Sequence, residues 1–141
     1  MHSSSSPETV DCKSPNAIVV LLVEDNAALR TLAAIFLKAD DFCVLEARNG
    51  TDALQVARCH NKIDLLLTDV EMGDGCDGIE LASTLTAERP GLPVLVMSGL
   101  PESEGTAAQK GFRFMAKPFT TCKLRKRVRE ALGSKIEDPH G

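Results

Sequence analysis

The chain contains no tryptophan and no tyrosine, and its aromatic content rests on five phenylalanines among 141 residues. A surface that binds single-stranded nucleic acid by stacking bases on aromatic rings is not built from this composition. There is no excess of positive charge either. Sixteen Lys and Arg against 20 Asp and Glu give a formal net charge of −4, so no general attraction to nucleic acid or to an anionic membrane surface is expected. No apolar run approaches the roughly 20 residues that a membrane-spanning helix needs. The start, Met1-His2-Ser3 to Ser6-Pro7, is polar and lacks the basic and apolar regions of a secretory signal. The five cysteines, Cys12, Cys43, Cys59, Cys76 and Cys122, include no C-x-x-C pair, which leaves a zinc or redox motif without support. Reduced thiols in a cytoplasmic protein are the expectation.

What remains is ordinary globular composition, 43% hydrophobic and 26% charged, at a length that suits one domain with a proper core. Residues 1–16 carry five serines, two prolines and little that can be buried. They read as a disordered tail, with 17–133 as the folded domain and 134–141 as a C-terminal tail.

Five short apolar runs alternate with helix-period segments. Ala17 to Val23 is fully apolar and β-branched and ends in Glu24-Asp25. Leu29, Leu32, Ala33, Phe36 and Leu37 then recur as one helical stripe, with Asn26 as N-cap. Phe42 to Glu46 reads as a strand, and Thr51 to Cys59 as a helix. Ile63 to Asp69, with three consecutive leucines, is the pattern of a strand buried on both faces of a parallel sheet. After a glycine-rich loop, Gly73 to Gly78, a helix runs from about Ile79 to Glu88 with Leu81, Ala82 and Leu85 inward; Arg89-Pro90-Gly91 stops it. Pro93 to Met97 is a fourth strand, Ser103 to Lys110 a weak helix and Phe112 to Ala116 a fifth strand. Leu124, Val128 and Leu132 mark the last helix. Strict alternation predicts a (βα)5 α/β fold, a doubly wound parallel sheet with helices on both faces.

The ends of these strands carry the chemistry. The first delivers Glu24 and Asp25, the third Asp69, the fourth Ser98 and the fifth Lys117. In open parallel sheets ligands bind outside the carboxyl ends of the strands, so these residues converge on one crevice. Taken singly, each is an ordinary turn or cap residue; all five falling at strand ends is not. Three crowded carboxylates need a cation, and oxygen ligation with few protein ligands suits Mg²⁺. A hydroxyl and an ammonium beside them serve an incoming anion. The set describes phosphoryl transfer with a carboxylate as nucleophile.

The sequence resembles the receiver domain of two-component response regulators over about residues 17–133. The resemblance rests on LLVEDN (21–26), LLLTD (65–69), MSG (97–99) and MAKPF (115–119). It implies a flavodoxin-like sheet of strand order 2-1-3-4-5, an arrangement that a member of this family exemplifies. It also implies that Asp69 accepts a phosphoryl group from a histidine kinase or histidine phosphotransfer protein. Asp25 and Asp69 would ligate Mg²⁺, Glu24 would hold it through water, and Glu71 would offer its backbone carbonyl. Ser98 and Lys117 would bind the phosphoryl oxygens. Ser98 and Phe114 would form a switch, relayed to a partner or second copy at the face of the fourth helix, fifth strand and fifth helix.

Two departures stand out. The loop after Asp69 reads Met72-Gly73 where the family has Met-Pro, with one extra residue before Asp77-Gly78, and the segment Ser98 to Gly111 is short. Two rival functions fit the sequence less well: a pseudo-receiver that binds without phosphorylation, disfavoured by the retained acids and lysine, and a Mg²⁺-dependent phosphatase with Glu71 as acid, disfavoured by the lack of a cap insertion. The basic run Lys123, Arg125, Lys126, Arg127 and Arg129 is expected as a solvated helix face, not a nucleic-acid site. No nucleic acid and no membrane are expected as partners.

Overall fold

A computed structural model describes residues 16–73 and 75–133. The expected tails lie outside these residues, except for Asn16. Five strands and five helices alternate: β1 (Val19–Val23), α1 (Ala27–Ala39), β2 (Cys43–Ala47), α2 (Gly50–Arg58), β3 (Leu65–Asp69), α3 (Gly78–Glu88), β4 (Val94–Ser98), α4 (Glu102–Gln109), β5 (Arg113–Ala116) and α5 (Thr121–Leu132). All strand pairs are parallel, in the order β2-β1-β3-β4-β5. The (βα)5 doubly wound reading holds, including the strand order.

The unbroken apolar runs make sense once both sheet faces are covered, because successive side chains point to opposite faces. Leu21, Val23, Leu66 and Val96 pack with Ala53, Ala57, Leu81, Leu85 and Ala107 of α2, α3 and α4. Val20, Leu22, Leu65, Leu67 and Met97 pack with Ala34, Leu37, Leu124 and Val128 of α1 and α5. The residues of β1, β3 and β4 are all buried. At the opposite end of the sheet from the strand tips, Asp64 is buried and its Oδ2 accepts from the Val19 N–H at 2.8 Å, which supplies β1 with a partner for its first amide.

Capping follows the sequence. Asn26 accepts from the Leu29 N–H at 3.0 Å, and Thr120 accepts from the Lys123 N–H at 3.1 Å. Each satisfies an orphan donor of the first turn. Asp77 caps α3 through the Ile79 N–H at 2.7 Å.

Two expectations are corrected. The α1 stripe divides: Ala33, Ala34 and Leu37 are buried, but Leu29 and Leu32 are 46% and 49% exposed. Helix α1 is apolar over most of its circumference, with only Arg30 and Lys38 charged, so periodicity cannot choose which arc faces the sheet. The thiols are not uniformly reduced. Cys59, Cys76 and Cys122 are free, whereas Cys43 is disulfide-bonded.

Candidate functional site

The parallel register brings the strand tips to one level. Ser98 pairs with Ala116 across β4 and β5, and Asp69 pairs with Met97 across β3 and β4. The Lys117 N–H donates to the Ser98 carbonyl at 2.8 Å, and the Lys117–Pro118 peptide bond is cis. The last residue of β3, Asp69, is 4% exposed. Its carboxylate lies with those of Glu24 and Asp25 so that one ligand oxygen from each falls within 4.8 Å of the others.

Lys117 joins this group from β5. Its Nζ donates to Glu24 Oε1 at 2.8 Å and stands 3.1 Å from Asp69 Oδ1. That oxygen is nevertheless buried without an aligned hydrogen-bond donor; the ammonium reaches it as an ion-pair partner only. The other Glu24 oxygen accepts from the Asn26 N–H at 3.1 Å. Asp25 is exposed at the rim, its Oδ2 accepting from the Gly73 N–H at 2.7 Å.

The electrostatics follow. Burial, with the charges of Glu24 and Glu71 adding and Lys117 opposing, pushes the Asp69 carboxyl up to about 7. The Gly73 amide holds the Asp25 carboxyl below its ordinary range, against the contrary effect of burial. Burial acts to lower the Lys117 ammonium, but its two carboxylate partners outweigh it and raise it. A buried carboxylate with one oxygen lacking a hydrogen bond, beside two further carboxylates, is a donor set that fits a hard divalent cation.

The remaining predicted residues form a second group. The Ser98 hydroxyl does not bond to Asp69: its Oγ is 2.8 and 2.7 Å from the two carboxylate oxygens of Glu71. Ser103, in the first turn of α4, donates to Glu71 Oε2 at 3.0 Å and lies 3.2 Å from Ser98 Oγ. The sequence reading missed Ser103, because one serine in a weakly patterned helix carries no signal. Within the receiver resemblance it also gave Glu71 only a backbone role. Phe114 is half-buried and pairs with Val96, two residues before Ser98 and on the same sheet face, where it packs against the cluster holding Ala107.

The loop between β3 and α3 is pinned at both ends. Glu71 and Asp77 form an isolated antiparallel bridge, and the Gly78 N–H donates to the Val70 carbonyl at 2.8 Å. On the other side of the site, α1, β1 and the start of α5 border a cleft of about 690 Å³. Leu29, Leu32, Phe36 and Phe119 line it, with Glu24 and Lys117 at one end.

Residues 20–129 match the family model described as the response regulator receiver domain. The chain belongs to that family. This receiver domain is 29% identical over 116 residues to the transcriptional regulatory protein GlrR of Escherichia coli K12, covering 80% of this chain and 26% of that protein. It is 30% identical over 122 residues to a cyclic di-GMP phosphodiesterase of Thermotoga maritima, covering 84% of this chain and 32% of that one. The chain thus spans about a quarter to a third of the length of these curated relatives. Among solved structures, the receiver domain of the hybrid histidine kinase CckA is 34% identical, with a TM-score of 0.69 over 82% of this chain and 99% of that one. A receiver protein of Sinorhizobium medicae WSM419 shares the fold at 24% identity, with a TM-score of 0.79 over 87% of this chain and all of that one. Receiver domains are signalling modules of two-component systems. Among the described residues no helix is long and apolar enough to cross a membrane.

The basic face of α5 is partly neutralised within the fold. Arg125 and Arg129 pair with Asp40 at 3.2 and 3.1 Å, and Arg127 pairs with Glu130 at 3.3 Å.

Proposed function

We propose that this receiver domain accepts a phosphoryl group on Asp69 from a histidine kinase or histidine phosphotransfer protein and relays the event through a change of surface. The observation that carries this reading is the buried Asp69 carboxylate, with one oxygen lacking a hydrogen bond, at a strand tip beside Glu24, Asp25 and Lys117. In the transfer, an Asp69 oxygen forms the new P–O bond as the P–N bond of the phosphohistidine breaks. The imidazole leaves neutral when its other nitrogen is protonated. No general base is needed once a bound cation keeps the Asp69 carboxylate ionised.

Asp25 and Asp69 are the residues for direct Mg²⁺ ligation, Glu24 for contact through water and Glu71 for a backbone carbonyl. Bound Mg²⁺ supplies positive charge to the phosphoryl oxygens. Lys117 and Ser98 hold the remaining oxygens, and Ser98 and Phe114 carry the switch. The donor approaches over the cleft beside α1, which is continuous with Glu24 and Lys117 and offers Leu29 and Leu32 as apolar contacts. The face of α4, β5 and α5 is the output surface, for a partner or for a second copy. The protein acts as a phosphoacceptor, with no substrate beyond its donor, and the setting we assign to it is the cytoplasm.

Incubation with Mg²⁺ and a small phosphoryl donor tests this. One acid-stable, base-labile phosphate per chain is expected, absent in Asp69→Asn, whose amide is a poor nucleophile. Equal labelling of both proteins overturns the assignment.

A further inference from the structure

Glu71 occupies a position that the receiver reading leaves without a task for its side chain. A hydroxyl has one proton to give. The Ser98 Oγ lies within 2.8 Å of both Glu71 oxygens, so its proton is committed to that carboxylate. It also accepts from the Leu100 N–H at 2.9 Å, which fixes its rotamer. Ser103 adds a second hydroxyl to the same carboxylate. Two hydroxyls from different elements, β4 and α4, therefore converge on one anion. Hydrogen bonds to an ionised acceptor are shorter and stronger than neutral ones.

Helix α4 has few other attachments. It is eight residues long, buries only Ser103 and Ala107, and has no side-chain N-cap. The Glu71–Ser103 bond ties its first turn to the site across 32 residues of sequence.

We propose that the Glu71 carboxylate is an internal surrogate for the phosphoryl group. It holds Ser98 and Ser103 while Asp69 is unmodified, and it yields Ser98 when the acyl phosphate forms. This rests on the phosphoacceptor reading of Asp69. A carboxylate and a phosphoryl group are both oxygen acceptors of negative charge, so they compete for the one Ser98 proton. Once Ser98 turns to the phosphoryl group, the three-way arrangement loses a member and the first turn of α4 is free to shift. Glu71 is thus a positioning residue: it acts on the phosphoryl-binding hydroxyl and on the output helix together.

The test uses Glu71→Ala, Glu71→Gln, Ser103→Ala and the double variant Glu71→Ala/Ser103→Ala, read by amide exchange and by titration with beryllofluoride in the presence of Mg²⁺. In the unmodified protein, Glu71→Ala should speed exchange of the α4 amides several-fold, and Ser103→Ala should do the same. The double variant should add nothing for α4, because both single changes break the same Glu71–Ser103 bond. Glu71→Gln, which keeps an acceptor without the charge, should fall between. With its competitor gone, Ser98 should bind the phosphoryl mimic about tenfold more tightly in Glu71→Ala. Additive effects on α4, or α4 exchange that Glu71→Ala leaves unchanged, overturn the proposal. Equal beryllofluoride affinity in wild type and Glu71→Ala also overturns it, and leaves the phosphoacceptor reading intact. Failure of every protein, wild type included, to bind beryllofluoride overturns the phosphoacceptor reading itself, and the surrogate role with it.

Discussion

Lys117 Nζ lies 3.1 Å from Asp69 Oδ1, although β4 separates their two strands in the sheet. The lysine spans the tip of β4 and is shared with Glu24 at 2.8 Å. One cation therefore serves two buried carboxylates. Removing it in Lys117→Ala leaves both facing each other without a counter-charge. The Asp69 carboxyl should then titrate still higher than about 7. Carbon-13 NMR titration of the Asp69 side chain checks this, and an unmoved or lower midpoint contradicts the pairing.

The raised Asp69 carboxyl makes stability depend on pH in a defined sense. Its folded value, about 7, exceeds the ordinary 3.8. Between those two values the unfolded chain has released a proton that the folded one retains, so stability falls as pH rises through this window. In chelator, the melting temperature should drop between pH 5 and pH 8. Asp69→Asn should flatten that slope, and excess Mg²⁺ should restore stability at the upper end by favouring the ionised pocket. A melting temperature that climbs across this range in chelator contradicts the burial argument.

Asp25 has two tasks, a metal ligand by proposal and an anchor for Gly73 by observation. In Asp25→Ala, Mg²⁺ affinity should fall by at least about tenfold, since one of three attracting carboxylates is gone. The amide of Gly73 should also exchange faster, with or without the ion. Calorimetry and amide exchange separate the two effects.

Gly78 starts α3 against the backbone of Asp69. A Cβ there would sit 2.0 Å from the Asp69 carbonyl oxygen and 3.1 Å from Thr68 Oγ1. The nearer contact is with backbone, so turning a side chain does not relieve it. Gly78→Ala should cost about 2 kcal/mol or more in chemical denaturation. It should also slow labelling of Asp69, since any relief moves that residue. Wild-type stability and labelling in the variant contradict this account.

How much was legible in the sequence divides along physical lines. Strands buried on both faces announce themselves as unbroken apolar runs, which is why Leu65, Leu66 and Leu67 located β3 and Asp69 located its end. Helix α3 was equally plain, because Leu81, Ala82 and Leu85 turned inward as their spacing predicted. Helix α1 was not. Its apolar arc is too wide for periodicity to orient, and Leu29 and Leu32 came out half-exposed. Glu24, Asp25, Ser98 and Lys117 were found because strand ends are positions that alternation defines. Ser103 and the Glu71 carboxylate were not, since their meeting depends on how a loop and a short helix fold back over β4. No pattern within either segment encodes that.

The Glu24–Lys117 hydrogen bond joins residues 93 positions apart in the chain. A polypeptide emerging from the ribosome holds the acids of the first three strands long before the lysine appears. Until β5 docks at the sheet edge, those carboxylates have no shared cation. A chain released or cleaved before residue 117 has Asp69 yet lacks the charge that balances it. On the proposed function, competence to accept the phosphoryl group therefore waits on the docking of β5 instead of accruing strand by strand.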